Sequence, residues 1–246
     1  MRVAVLAAAL VTMVVSATVC GPIAAAQASA GPGYSLVKVK LASGRSIVAR
    51  WNPCQEAITY RVNLTGLPAA KRPAMRKQIR AAFAKLSAAD GIAYHYTGNT
   101  AFVPTTTNLV TAPAEIVVAA VDNKKTDLDL ATNVLGFGGT VWSTWSSSAG
   151  EGAVVVRGFV LLSPSGMAST KPGFGRGVTQ GNVILHELGH ATGLEHVSAK
   201  GALMNPTLTS STPSGFGPGD LAGLKKVGSP GGCVKVPTAV GIADLS

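Results

Sequence analysis

The chain is short of aromatic and charged side chains, which make up 5% and 13% of its 246 residues, and its 11 acids are outnumbered by 21 Lys and Arg. With 47% hydrophobic residues, so little charge excludes a disordered polyelectrolyte. Three cysteines are too few for a disulfide-dense mini-protein, and the 29 Gly and 14 Pro follow no triplet or longer period, which excludes collagen-like and solenoid repeats. No run beyond residue 30 is apolar enough to span a bilayer. Basic and aromatic residues are not interleaved as a nucleic-acid platform requires, so no nucleic-acid partner is expected. Histidine is scarce too, with four copies, yet three of them stand within eleven residues of one another.

The chain begins with Met1-Arg2, an apolar run to Val19, a Gly21-Pro22 break and the small residues Ala28-Ser29-Ala30. A positive start, an apolar middle and a small-x-small close predict a signal peptide spanning 1–30, and hence a secreted, extracellular protein without stable membrane association. An uncleaved anchor and lipid attachment at Cys20 are the competing readings, the second weakened by the bulky Val19. Cys54 and Cys233 remain after cleavage. An even pair in an oxidising compartment predicts one disulfide; a free Cys54 is the alternative.

Residues 31–50 form a basic, Gly/Ser-punctuated amino-terminal arm or edge strand. Period-two alternation predicts a strand over Ile58 to Leu64, and the period then changes to that of a helix from about Pro73 to Ala89. Met75, Ile79, Ala82, Phe83 and Leu86 share one face of this helix, Arg76, Lys77 and Arg80 the other. A strand at Ile92 to Tyr96 completes a strand–helix–strand crossover with parallel strands. The run Ile116 to Val121 reads as a buried strand, Gly138 to Trp142 as a short edge strand, and Ala153 to Leu162 as a longer strand. Loops are expected at Gly98 to Pro113, Asp122 to Asn133 and Ser163 to Gly177. Two helices, near Thr179 to Thr192 and Pro218 to Val227, complete an α+β outline with a twisted mixed sheet.

The three clustered histidines lie in His186-Glu187-Leu188-Gly189-His190-Ala191-Thr192-Gly193-Leu194-Glu195-His196. At this composition the pattern has a chance on the order of a few in a million. His186 and His190 stand one helical turn apart on one face, and Gly193 can take the left-handed conformation that turns the chain back to deliver His196. Three neutral imidazoles suit one Zn2+ with a fourth position for water. Glu187 is rotated by about 100° from His186. It can therefore take the proton of a zinc-activated water attacking a carbonyl and pass it to a leaving amine, which makes amide hydrolysis the natural reaction.

This motif, followed eight residues after the last histidine by Met204 in Ala202-Leu203-Met204-Asn205-Pro206, resembles the metzincin zinc endopeptidases, and its short spacing resembles their matrixin branch. Trp51 to Cys54 and Phe216 to Asp220 echo further segments of small secreted bacterial matrixin-like proteases. The resemblance covers roughly residues 50–233, and a metallopeptidase domain is assigned to 51–233, with a tail at 234–246. It implies a Met-turn at Met204, an apolar floor beneath the imidazoles. It also implies a pocket wall at Pro206, Thr207 and Leu208 for the residue after the cut, substrate strand addition along Gly139, Thr140 and Val141, and a supporting role for Asp220. Departures are Asn205 where tyrosine is common and Val197 where serine is common. No Pro-Arg-Cys-Gly switch segment occurs, and with His95 the only other histidine no second zinc site is evident.

His95 reads as an ordinary strand residue, and Thr192 and Glu195 as bystanders. Trp142 and Trp145 could contact substrate or simply pack. Asp122, Asp127 and Asp129 could bind Ca2+, but their spacing fits no recognised loop. The basic helix face reads as solvated. The expectation is a monomer acting on a protein or peptide substrate; the alternatives are a zinc amidase acting on cell-wall peptide and a secreted zinc-containing binding module without turnover.

Overall fold

The structure, a computed structural model, describes residues 33–131, 134–147 and 150–237. The expected signal peptide, Cys20 and the end of the carboxy-terminal tail lie outside the described residues.

Three short strands come first, β1 (Ser35–Leu36), β2 (Lys38–Lys40) and β3 (Ser46–Val48), with β2 and β3 paired antiparallel. The crossover is present as expected: β4 (Ile58–Asn63), α1 (Arg72–Asp90) and β5 (Tyr94–Asn99), with β4 and β5 parallel. Then come β6 (Ile116–Ala120), β7 (Gly136–Ser147), β8 (Gly150–Leu162), α2 (Pro164–Ser169), α3 (Gln180–Ala191), β9 (Leu194–Glu195) and α4 (Pro218–Val227). Five strands form one sheet in the order β5-β4-β6-β8-β7, parallel except for β7 at its edge. No helix among the described residues is long and apolar enough to cross a membrane.

The apolar run of β6 is buried on both faces. Ile116, Val118 and Ala120 join the core shared with the helices, while Val117, Ala119 and Val121 join a second core under the loops on the sheet's other side. Helix α1 buries the five residues of its predicted apolar face, and Tyr60 of β4 stacks on Phe83 with ring centroids 3.7 Å apart. Its basic residues stay outside, with Arg76 Nε donating to Asn99 Oδ1 at 3.1 Å and Arg80 lying over the Tyr96 ring.

Two expectations change. The edge strand is twelve residues long rather than five, because its polar Ser, Thr and Trp positions pair with β8 along nearly its whole length, across a bulge between Val141 and Trp142. The loop after β8 contains α2, where Ser163 accepts from Gly166 N and Pro164 fixes the first turn.

Residues 33–50 lie along the zinc-motif end of the molecule. β1 pairs with β9, Val37 N donates to Gly193 O at 2.9 Å, and Val37, Val39, Leu41 and Ala49 are buried in the main core. Cys54 and Cys233 form a disulfide across a sequence separation of 179 residues. Arg50 reinforces that seam by donating to the carbonyls of Gly231, Gly232 and Cys233.

The carboxyl end of α1 holds a buried acid. Asp90 accepts from Ile92 N at 2.9 Å and Tyr94 OH at 2.6 Å, and burial pushes its carboxyl up to about 7 against the pull of those donors. The folded state therefore holds this proton more tightly than the unfolded chain. The stability so contributed is complete below about pH 4 and is lost as pH rises through about 7. Asp90→Asn should flatten that slope. Urea midpoints near pH 4.5 and pH 7.5 should show the wild type losing roughly 2–4 kcal/mol relative to the variant over that range.

Candidate metal centre and cleft

Helix α3 starts at Thr179, whose hydroxyl accepts from Asn182 N, and ends at Thr192, after which Gly193 takes φ +103°. Only glycine accepts that turn readily, and a Cβ there would also stand 3.2 Å from Ala49 O. The turn brings His196 back beneath the helix. Trp51 pins the same end from below, its Nε1 donating to Ala191 O at 3.0 Å.

The Nε2 atoms of His186, His190 and His196 form a nearly equilateral triangle with edges of 3.1, 3.1 and 3.2 Å. Tetrahedral zinc with ligands at ~2.0–2.1 Å sets nitrogen–nitrogen distances of about 3.3 Å, so the triangle fits such an ion. The donor set fits as well. His186 Nδ1 donates to Leu203 O at 2.8 Å and His190 Nδ1 to Leu194 O at 2.9 Å, which leaves their Nε2 lone pairs free. Burial pushes His186 down to about 4, His190 well below its ordinary value and His196 downward, so all three are neutral near pH 7. The three converging Nε2 atoms could hold one metal ion, and they are the one such cluster among the described residues.

Met204 is buried against α3, with its backbone carbonyl accepting from Val197 N. A Cβ on Gly189 would stand 2.5 Å from Met204 Sδ, so the glycine lets the sulfur approach the helix. Asp220 is fully buried, and its carboxylate accepts from Leu203 N at 2.6 Å, Gly217 N at 2.8 Å and Met204 N at 3.3 Å. Leu203 thus links Asp220 through its N–H to His186 through its carbonyl.

Glu187 is 7% exposed and faces β7. Burial pushes its carboxyl up to about 8, opposed by a hydrogen bond from Gly138 N–H; a dication held nearby would favour the carboxylate further. Sequence reasoning missed the reason β7 can come so close. Side chains at Gly136 and Gly138 would overlap the Glu187 side chain and its backbone carbonyl respectively. Two glycines at period two in a strand are the available signal of such an approach. Gly138→Ala should push β7 off α3 and move the Glu187 carboxylate. The expected loss is about 10²-fold in kcat/KM on any substrate the protein hydrolyses, measured with zinc content held at the wild-type level.

A cavity of about 470 Å³ opens over the triangle, lined by all three histidines, Glu187 and, on its far wall, Pro206, Thr207 and Leu208. A smaller cavity beside Thr140 and Trp142 shares Gly138 and His190 with it and is also lined by Gly139. The strand-addition residues need adjustment. Gly158 N donates to Glu115 O, away from its β7 partner Thr140, so Thr140 and, by alternation, Gly138 and Gly136 turn their main-chain groups to the free edge. Gly139 and Val141 turn theirs to β8. Val141's side chain is fully buried in the second core and lines neither cavity.

Of the other singled-out residues, Asp129 lines the large cavity and Glu195 the small one, while His95, Trp145, Asp122 and Asp127 line neither. His95 is exposed on β5, and Trp145 packs in the second core. Asp122 accepts from Lys124 N and Asp127 from Thr106, so neither joins Asp129 in a cation cluster among the described residues.

Residues 118–227 match the family model Peptidase_M10, matrixin, a span that runs from β6 to the end of α4 and contains the triangle, Glu187, Met204, Asp220 and both cavity walls. No curated protein matches the chain.

Proposed function

We propose that the chain, whose residues 118–227 match the matrixin model of a family that implies zinc metallopeptidase activity, is a secreted, monomeric endopeptidase in which Glu187 is the general base and acid. The observation that carries the reading is the Nε2 triangle and the Glu187 carboxylate on the wall of one cavity, beside a sheet edge with free main-chain groups.

His186, His190 and His196 would hold a zinc ion, whose Lewis acidity activates water and stabilises charge on a carbonyl oxygen. The Glu187 carboxylate, fixed by Gly138 N–H, accepts the proton of the attacking water. The same carboxyl then donates that proton to the departing amide nitrogen, so the carbon–nitrogen bond breaks with a neutral amine leaving. Gly136, Thr140 and the carbonyl of Gly138 offer main-chain partners to an extended peptide, and Pro206, Thr207 and Leu208 face the residue after the cut. Export is supported by the pattern of residues 1–30 and by the Cys54–Cys233 bond, which an oxidising compartment favours.

Purified residues 31–246 should cleave unfolded casein, release new amino termini and stop when a chelator is added. Casein left intact alongside amide cleavage in purified cell wall would replace this reading with the amidase. Inertness towards both would leave the binding module.

A further inference from the structure

The cleft has a direction. β7 runs from Gly136 to Ser147, so a peptide added antiparallel to it passes Trp142 first and Gly136 last. Residues before the cut then lie over the small cavity, and residues after it enter the large one, which Val134, Leu135 and Asp129 also line. The walls of this larger cavity are mostly apolar: Val134, Leu135, Phe137, Val183 and Leu208. Asp129 is its one acid apart from Glu187, and no Lys or Arg lines either cavity. The Asp129 side chain is exposed and has no hydrogen-bond or ion-pair partner among the described residues. A strongly basic chain has thus placed an unneutralised carboxylate, and no cation, on the wall of a mostly apolar cavity.

On the endopeptidase reading, we propose that Asp129 is a specificity-determining residue that selects lysine or arginine immediately after the scissile bond. The methylene stem of such a side chain covers the apolar walls while its cationic end pairs with the carboxylate that lines the same cavity. A purely aliphatic side chain gains the first contact only, and an acidic one meets like charge.

The test uses three peptides identical except for lysine, norleucine or glutamate after the cut, with cleavage sites confirmed by mass spectrometry. The wild type should prefer lysine to norleucine by about tenfold in kcat/KM, with glutamate slowest. Asp129→Asn should bring the lysine-to-norleucine ratio close to one, and Asp129→Lys should make glutamate the best of the three. Norleucine preferred by the wild type, or a ratio untouched by Asp129→Asn, overturns the proposal while leaving the endopeptidase reading in place. If no peptide is cut, the sites cut in casein decide: lysine or arginine enriched after the bond upholds the proposal, and their absence there overturns it. Failure to cut either peptides or casein overturns the endopeptidase reading itself.

Discussion

Replacing Glu187 with glutamine should lower kcat/KM for casein-derived peptides by between about 10² and 10⁴ while the protein still binds one zinc. The two halves of that result come from different atoms. Zinc would be held by the Nε2 triangle, to which Glu187 contributes nothing, so the metal stays. The proton, by contrast, needs a carboxylate, and an amide cannot accept it. Glutamine keeps an oxygen for Gly138 N–H and fits the space left by Gly136 and Gly138. Burial disfavours the charged form of Glu187, so the variant should melt no lower than the wild type. Parallel metal analysis, thermal melting and peptide kinetics check all three statements. Loss of zinc together with activity would show that Glu187 acts on the metal site rather than on the proton.

Asp220→Ala should cost about 3–6 kcal/mol of stability and weaken zinc binding about 10- to 100-fold. The stability loss follows from three donors, Leu203 N, Met204 N and Gly217 N, which the substitution leaves buried without an acceptor. Part of it is the lost cap of α4, where Asp220 in the first turn also faces the positive end of the helix. The metal effect travels one residue further, because Leu203, released at its N–H, no longer fixes the carbonyl that orients His186. Asp220→Asn keeps an acceptor oxygen for some of these donors and should fall between the two. Urea unfolding and competition with a zinc chelator measure the two effects separately. A variant that unfolds easily yet binds zinc normally would break the proposed link through Leu203.

The histidine triangle was legible in the sequence because its geometry is local: a turn of helix sets His186 and His190, and one glycine sets the return to His196. The crossover was legible for the same reason, as β4, α1 and β5 each carry a clean period. What escaped is non-local. The length of β7 depends on its pairing with β8, since its Ser and Thr residues alone do not demand a strand. The arm's role depends on Val37 meeting Gly193, a contact no local pattern announces. Asp220 was reached only through resemblance, because nothing around it in sequence says that its partners are at 203 and 204. Gly136 and Gly138 carry a signal, but an edge strand begun at Gly138 leaves Gly136 out and conceals the close approach of Glu187. The main-chain groups free on that edge follow from a single hydrogen bond, Gly158 N to Glu115 O, that only the folded sheet provides.

Purified protein can be stripped of metal, zinc titrated back and casein hydrolysis followed against zinc bound. The triangle of three neutral imidazoles predicts that activity is absent at the start, rises in proportion to bound zinc and saturates at one ion per chain. Hydrolysis that persists without metal, or one tightly bound zinc per chain that restores no cleavage, would contradict it.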